Sequence, residues 1–208
     1  MKKIATTLSI FLFFLISGQS FADGDGYVTI SPAQPTQSGD KIEVVEVFWY
    51  ACPHCFDFEP YISKWLASKP DDVEFRRMPG IFRKNWIPHA KAYFTAEKLG
   101  ALDTIHTPLF DALHKQKKNI HDDDAIEEFF VKQDVDKAKF TQAYESDEVQ
   151  TKVKQAFIMG QRYKLTGVPA VIVNGKYMVS GSTAGSFENI LKVIDQLVDK
   201  ERASTTND

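Results

Sequence analysis

Two cysteines, Cys52 and Cys55, are all the thiols in 208 residues, and they stand three apart in the stretch YACPHCFDF, residues 50–58. Three chemistries are open to such a pair. A structural zinc site needs about four ligands. His54 and a distant histidine would have to complete it, and His89, His106, His114 and His121 lack the H-x3–5-H spacing that usually does so. A structural disulfide stabilises by restricting the unfolded chain, and a loop of four residues restricts little. Redox exchange is the third. It requires a thiolate, and the segment supplies a place for one. Pro53 suits the first position of a helix, where its missing N–H costs nothing. Cys52 would then meet the free N–H groups and the positive dipole end of that helix, which favour a negative sulfur. His54, an ordinary surface histidine in most settings, adds charge or a hydrogen bond here. Cys55, one turn further in, is expected to be buried and protonated, so Cys52 attacks and Cys55 resolves.

The elements that must hold this pair are legible on either side of it. Residues 42–49, IEVVEVFW, are almost wholly apolar and β-branched or aromatic, as in a central strand covered on both faces. Residues 53–67 place Phe58, Tyr61, Ile62, Trp65 and Leu66 on one helical face, with Pro60 expected to kink the helix. Val73 to Arg77 completes a βαβ unit whose right-handed crossover makes the first two strands parallel. From about Ile87 to Tyr163 no strand is expected. Helices start instead at Asp122 or Asp123, Asp136 and Ser146. The last of these carries Val149, Val153, Ala156, Phe157 and Gly160 on one face. Strand character returns at 170–173 and 176–179, joined by Asn174-Gly175, the strongest short hairpin signal. A final helix turns Phe187, Ile190, Leu191, Ile194, Leu197 and Val198 inward. Residues 31–40 read as a loop and the tail from Ala203 as frayed.

The compartment follows from the first residues. Met1-Lys2-Lys3, an apolar run from Ile4 to Ile16, and the small residues Ser20 and Ala22 have the layout of a secretory signal peptide over 1–22. The apolar run is short for a bilayer, which needs about 20 residues. Cleavage leaves a chain starting near Asp23 with 23 basic against 28 acidic side chains, two of the 25 lysines and arginines having gone with the leader. An acidic chain of this kind has no electrostatic case for nucleic acid. The lysines 115, 117 and 118 are expected at a solvated helix end.

CPHC after a strand, a proline-bearing helix, a helical middle and GVPAVIVNGKY together resemble the DsbA-type periplasmic thiol:disulfide oxidoreductases, over essentially the whole chain beyond residue 22. The resemblance implies a thioredoxin fold, α/β with order βαβ…ββα. Its core covers about 27–84 and 164–202, with a helical insertion over about 85–163. It implies that Val168-Pro169 forms a cis-peptide loop facing the cysteines. It also implies that Glu46, six residues before Cys52, lies beneath them and helps move the proton of the buried thiol, although a solvated strand end or a structural ion pair would serve Glu46 equally well. Where the family often has a lysine near this acid, the sequence offers Arg76 or Arg77, and arginine does not readily give up a proton. No bound cofactor is implied beyond a Cys52–Cys55 redox disulfide. Pro-His between the cysteines and Val168 before Pro169 resemble the oxidase branch, in which a stabilised Cys52 thiolate makes the protein an oxidant of others. With 29 residues, 23–51, before Cys52 there is no room for the dimerisation domain of the isomerases, so a monomer is expected. The implied partners are reduced, unfolded exported proteins and a quinone-linked membrane oxidase of the DsbB type. A peptide-binding chaperone without redox turnover remains the alternative.

Overall fold

The computed structural model describes residues 24–205; the expected signal peptide and its cleavage site lie outside the described residues. A five-stranded mixed sheet runs in the order β1-β5-β4-β2-β3. β2 (Ile42–Phe48) is its centre, buried at all seven positions. It pairs in parallel with β3 (Val73–Pro79) and antiparallel with β4 (Ala170–Val173). The near-continuous apolar run of β2 is what coverage on both faces demands. β4 turns into β5 (Tyr177–Ser180), and the two-residue strand β1 (Val28–Thr29), which the sequence does not announce, adds to the far edge of β5.

The hairpin turn is doubly constrained. Asn174 and Gly175 both adopt positive φ, 49° and 65°. At residue 175 any side chain would also collide, because a Cβ there would lie 2.1 Å from the Gln34 carbonyl oxygen. The 31–40 loop is thereby packed onto the hairpin, with the Gln34 N–H donating to the Gly175 carbonyl at 2.9 Å.

α1 (Pro53–Leu66) connects β2 to β3 and runs unbroken through Pro60. Phe58, Ile62 and Trp65 point into a core shared with the C-terminal helix α8 (Phe187–Thr205), where Ile190, Ile194, Leu197 and Val198 meet them. That helix carries Ala203 to Thr205, so the tail is ordered further than its composition suggests. Between β5 and α8 lies a single turn, α7 (Gly181–Ala184).

Between β3 and β4 the chain is helical: a short 3-10 turn at Lys84–Trp86, then α2 (Ile87–Lys98), α3 (Leu102–His114), α4 (Asp123–Lys132), α5 (Lys137–Tyr144) and α6 (Asp147–Arg162). Asp122, Asp136 and Ser146 are the N-caps of α4, α5 and α6, each accepting from a backbone N–H three residues on. α6 buries Val149, Val153 and Ala156, but Phe157, expected on the same face, is 43% exposed. It stands at the edge of the stripe and lines a surface groove instead. The helices enclose a core of their own, and Phe48, Tyr50, Cys52 and Cys55 belong to it. The cysteines therefore sit where the sheet, α1 and this helical cap meet. Since α8 anchors the helix that carries them, Ile194→Ala should cost about 2–5 kcal/mol, read as a lower urea midpoint with unchanged m-value.

Candidate active site

β2 ends at Phe48, and the chain turns sharply before α1, the Cys52 N–H donating to the Trp49 carbonyl at 3.0 Å. Cys52 is the N-cap of α1 with extended φ and ψ, and Pro53 follows it. No side chain caps the helix, so its first N–H groups remain for the sulfur. Both cysteines are free thiols here. Cys55 is fully buried; Cys52 is 8% exposed. The Cys52 thiol is pulled down to about 6, chiefly by the hydrogen bond it receives from the Cys55 thiol, against the opposing effect of burial. The backbone N–H groups of Cys55 and His54 add to this, and the charge of exposed His54 contributes last. Cys55 moves the other way: burial first, then its neighbour Cys52, push its pKa far above the usual thiol range.

The facing wall is the loop before β4. The Val168–Pro169 peptide is cis. The Val168 carbonyl lies 3.5 Å from Cys52 Sγ, within reach of its thiol proton. Gly80, at the end of β3, makes room for this loop, since a Cβ there would sit 3.0 Å from Val168 Cγ1. Of two surface depressions, the first borders the wall. It has a volume of about 480 Å³ and lies between His54, Pro169, Met178 and Phe187. The other is a largely apolar groove of about 460 Å³ that starts at Ile81, next to Gly80, and includes the exposed rings of Phe82 and Phe157. Arg83, Lys84 and Lys154 edge it.

Beneath the cysteines, Glu46 is wholly buried in the central strand. Arg77, its register neighbour on β3, binds Glu46 Oε2 at 2.9 Å, so the solvated strand end is excluded. Arg76 has a separate partner on the opposite face, Glu43 at 3.1 Å. Burial pushes Glu46 up to about 7, Arg77 lowering it and Glu59 raising it, while Oε1 has no hydrogen-bond partner among the described residues. Its charge in turn raises Cys55, which places the two groups within electrostatic reach.

Sequence reasoning passed over four residues of this region. Glu43 shares the apolar strand with Glu46 and was detectable as a second acid out of place. Glu59 lies four residues after Cys55, on the same face of α1. It takes a second hydrogen bond from Arg77 at 3.3 Å and one from His106 at 3.2 Å. His106 and Tyr50 meet at 2.9 Å across 56 residues, and nothing local in the sequence signals it.

Residues 77–192 match the model of the DSBA-like thioredoxin domain family. The chain belongs to that family. It is a thiol:disulfide oxidoreductase of thioredoxin-like fold. It is 40% identical over 181 residues to the thiol:disulfide interchange protein DsbA of Azotobacter vinelandii, covering 87% of this chain and 85% of that one. A match of that extent must take in Cys52 and Cys55, although the family model begins at residue 77. The crystal structure of Pseudomonas aeruginosa DsbA superposes with a TM-score of 0.82 at 39% identity, over 87% of this chain and 94% of that one. The oxidoreductase DsbA of Xylella fastidiosa gives 0.79 at 34% identity, over 86% and 96%.

Two expectations follow for the DsbA-like site. Ultraviolet absorbance of the thiolate in reduced protein should titrate with a midpoint near 6. His54→Ala should raise that midpoint by less than about one unit, since the charge of His54 is the smallest of the contributions. For Glu46 the folded pKa lies above its ordinary 4.5, so its contribution to stability is fully present below about 4.5 and is lost as pH rises through about 7. Urea unfolding of oxidised protein should therefore show wild type losing on the order of 3 kcal/mol relative to Glu46→Gln between pH 4.5 and 8. A constant difference across that range would remove Glu46 from the list of perturbed acids.

Proposed function

We propose that the protein is a dithiol oxidase that donates a Cys52–Cys55 disulfide to reduced, unfolded exported proteins in the periplasm. The observation that carries this reading is the placement of the two thiols, Cys52 at the uncapped start of α1 and Cys55 fully buried one turn further in, which pulls Cys52 down to about 6 and pushes Cys55 far up. The disulfide bears no charge and the reduced pair bears one, so whatever stabilises the Cys52 thiolate favours reduction of this protein and oxidation of its substrate. Each unit by which the Cys52 pKa lies below ambient pH contributes about 30 mV to a two-electron potential.

In the reaction a substrate thiolate attacks Cys52 Sγ, a substrate–Cys52 disulfide forms, and Cys55 leaves. The Cys55 thiolate takes a proton, for which Glu46, half-protonated near pH 7, is the donor. A second substrate thiolate then attacks the substrate sulfur and expels Cys52 as a stabilised thiolate. Two electrons pass to the protein and a substrate disulfide is made. In reoxidation Glu46 takes the Cys55 proton back. A quinone-linked membrane oxidase of the DsbB type is the electron acceptor by family resemblance. Among the described residues no helix is long and apolar enough to cross a membrane; the reading has the protein act as a monomer, exported by the leader over residues 1–22. Substrate backbone docks beside Val168-Pro169, and the depression there, with Met178 and Phe187, takes its apolar side chains. The core at 27–84 and 164–202 then supplies the redox centre, and the 85–163 insertion covers it.

Oxidation of a reduced peptide by the oxidised protein, compared with Cys52→Ser, separates this reading from a chaperone without redox turnover; equal turnover by the variant would refute it. Cys55→Ser should accumulate mixed disulfides through Cys52, visible on non-reducing gels, and Cys52→Ser should accumulate few. The reduced form should also melt higher than the oxidised form at neutral pH. The Cys52 pKa falls on folding, so its contribution is fully present above its ordinary value near 9 and is lost as pH falls through about 6. Calorimetry should show the gap between the two forms closing on acidification through that window.

A further inference from the structure

The charged cluster beneath the cysteines ends on a side chain that the reaction above leaves unused. Arg77 is shared by two carboxylates, its Nε donating to Glu46 Oε2 at 2.9 Å and its Nη2 to Glu59 Oε2 at 3.3 Å. Two ionised carboxylates around one guanidinium leave a surplus negative charge in a buried place. One proton held between them removes it. Which carboxylate holds that proton depends on their other partners. Among the described residues Glu46 has none, and its Oε1 is buried. Glu59 has one, the Nε2 of His106 at 3.2 Å from Oε1.

The tautomer of His106 is set by its surroundings. An imidazole nitrogen facing a carboxylate must carry a hydrogen, so Nε2–H donates to Glu59. In the neutral ring Nδ1 then accepts, and the Tyr50 hydroxyl donates to it at 2.9 Å. Burial among the rings of Phe48, Tyr93 and Phe110 opposes a charged imidazole, and Arg77 opposes it further. The titratable groups facing His106 are Glu59 from α1, Arg77 from β3, Tyr50 from the turn after β2 and Tyr93 from α2, with Asp103 on its own helix beside it. A cleft of about 300 Å³ bordered by Glu59, Arg77, Asp103 and His106 opens this cluster to solvent.

We propose that His106 is a positioning residue: by donating to Glu59 it keeps that carboxylate ionised and so places the shared proton on Glu46, beside Cys55. The consequence for turnover rests on the reading that Glu46 exchanges its proton with Cys55.

The test uses oxidised protein, in which no thiol titrates, labelled with carboxyl-13C glutamate and assigned with Glu46→Gln and Glu59→Gln. Wild-type Glu46 should titrate near 7. In His106→Leu, which lacks the N–H, the Glu46 midpoint should fall by about one unit and the Glu59 midpoint should rise. His106→Gln, which keeps a donor, should restore both. Unchanged midpoints in the leucine variant overturn the proposal, and so do equal shifts in both variants, which would report ring packing alone. If the leucine variant does not fold, His106→Met, which also lacks the N–H, should move Glu46 in the same direction; no movement there also overturns it. The pH profile of reduced-peptide oxidation is recorded alongside. If the Glu46 midpoint moves and the profile does not follow, His106 places the proton as proposed and it is the proton exchange with Cys55 that fails.

Discussion

The sulfur of Cys52 has to carry a negative charge with no cation bonded to it. Its support comes from one neighbouring thiol and from backbone N–H groups at the start of α1, with His54 adding charge at longer range. Hydrogen bonds of this kind weaken steeply with distance and angle, so the helix must begin at one place and in one direction. The buried strand β2 sets that place by ending at Phe48, and the Trp49 carbonyl fixes the turn. Phe58, Ile62 and Trp65 press the helix onto α8, which fixes the direction. On the facing side Gly80 makes room for the Val168–Pro169 loop, whose carbonyl accepts from Cys52 only while the sulfur keeps its proton. Displacement of the strand end, the turn or the helix loosens the same few hydrogen bonds to the thiolate.

The same strand carries the opposite problem a few ångströms away. Glu43 and Glu46 occupy positions in β2 where the fold demands apolar residues, and each is answered by the arginine beside it in β3, on opposite faces of the sheet. The two answers differ. Glu43 takes three hydrogen bonds on a single oxygen, Oε2, from the Gln37 N–H, the Ser38 hydroxyl and Arg76. Glu46 shares its arginine with Glu59 and keeps a bare oxygen. A carboxylate short of donors in a low dielectric is pushed toward its neutral form, and that is the direction in which burial moves Glu46.

Much of this was readable in the chain because it is written locally. The strand at 42–48, the caps at Asp122, Asp136 and Ser146, the Asn174-Gly175 turn and the inward stripe of α8 each depend on residues a few positions apart. The position of Cys52 at a helix start was legible for the same reason. The partner of Glu46 was narrowed to two arginines but not chosen, because the choice depends on strand register and on which face each side chain takes. The Glu59–His106–Tyr50 chain was invisible, since its members come together only when α3 folds over α1, across 47 and 56 residues. Phe157 was misread inward because helical spacing gives the breadth of an apolar stripe, while the neighbouring helices decide how much of it is covered.

One further contact carries an optical consequence. The indole of Trp49 lies against that of Trp86 with centroids 4.0 Å apart and planes 4° from parallel. Two indoles this close couple electronically, and the ellipticity of the pair depends on how their transition dipoles are turned against each other. The backbone of Trp49 is also the anchor of the turn that holds Cys52. A rearrangement of that turn that rotates one ring against the other therefore alters the contribution of this pair to the dichroism of the protein, with no label added.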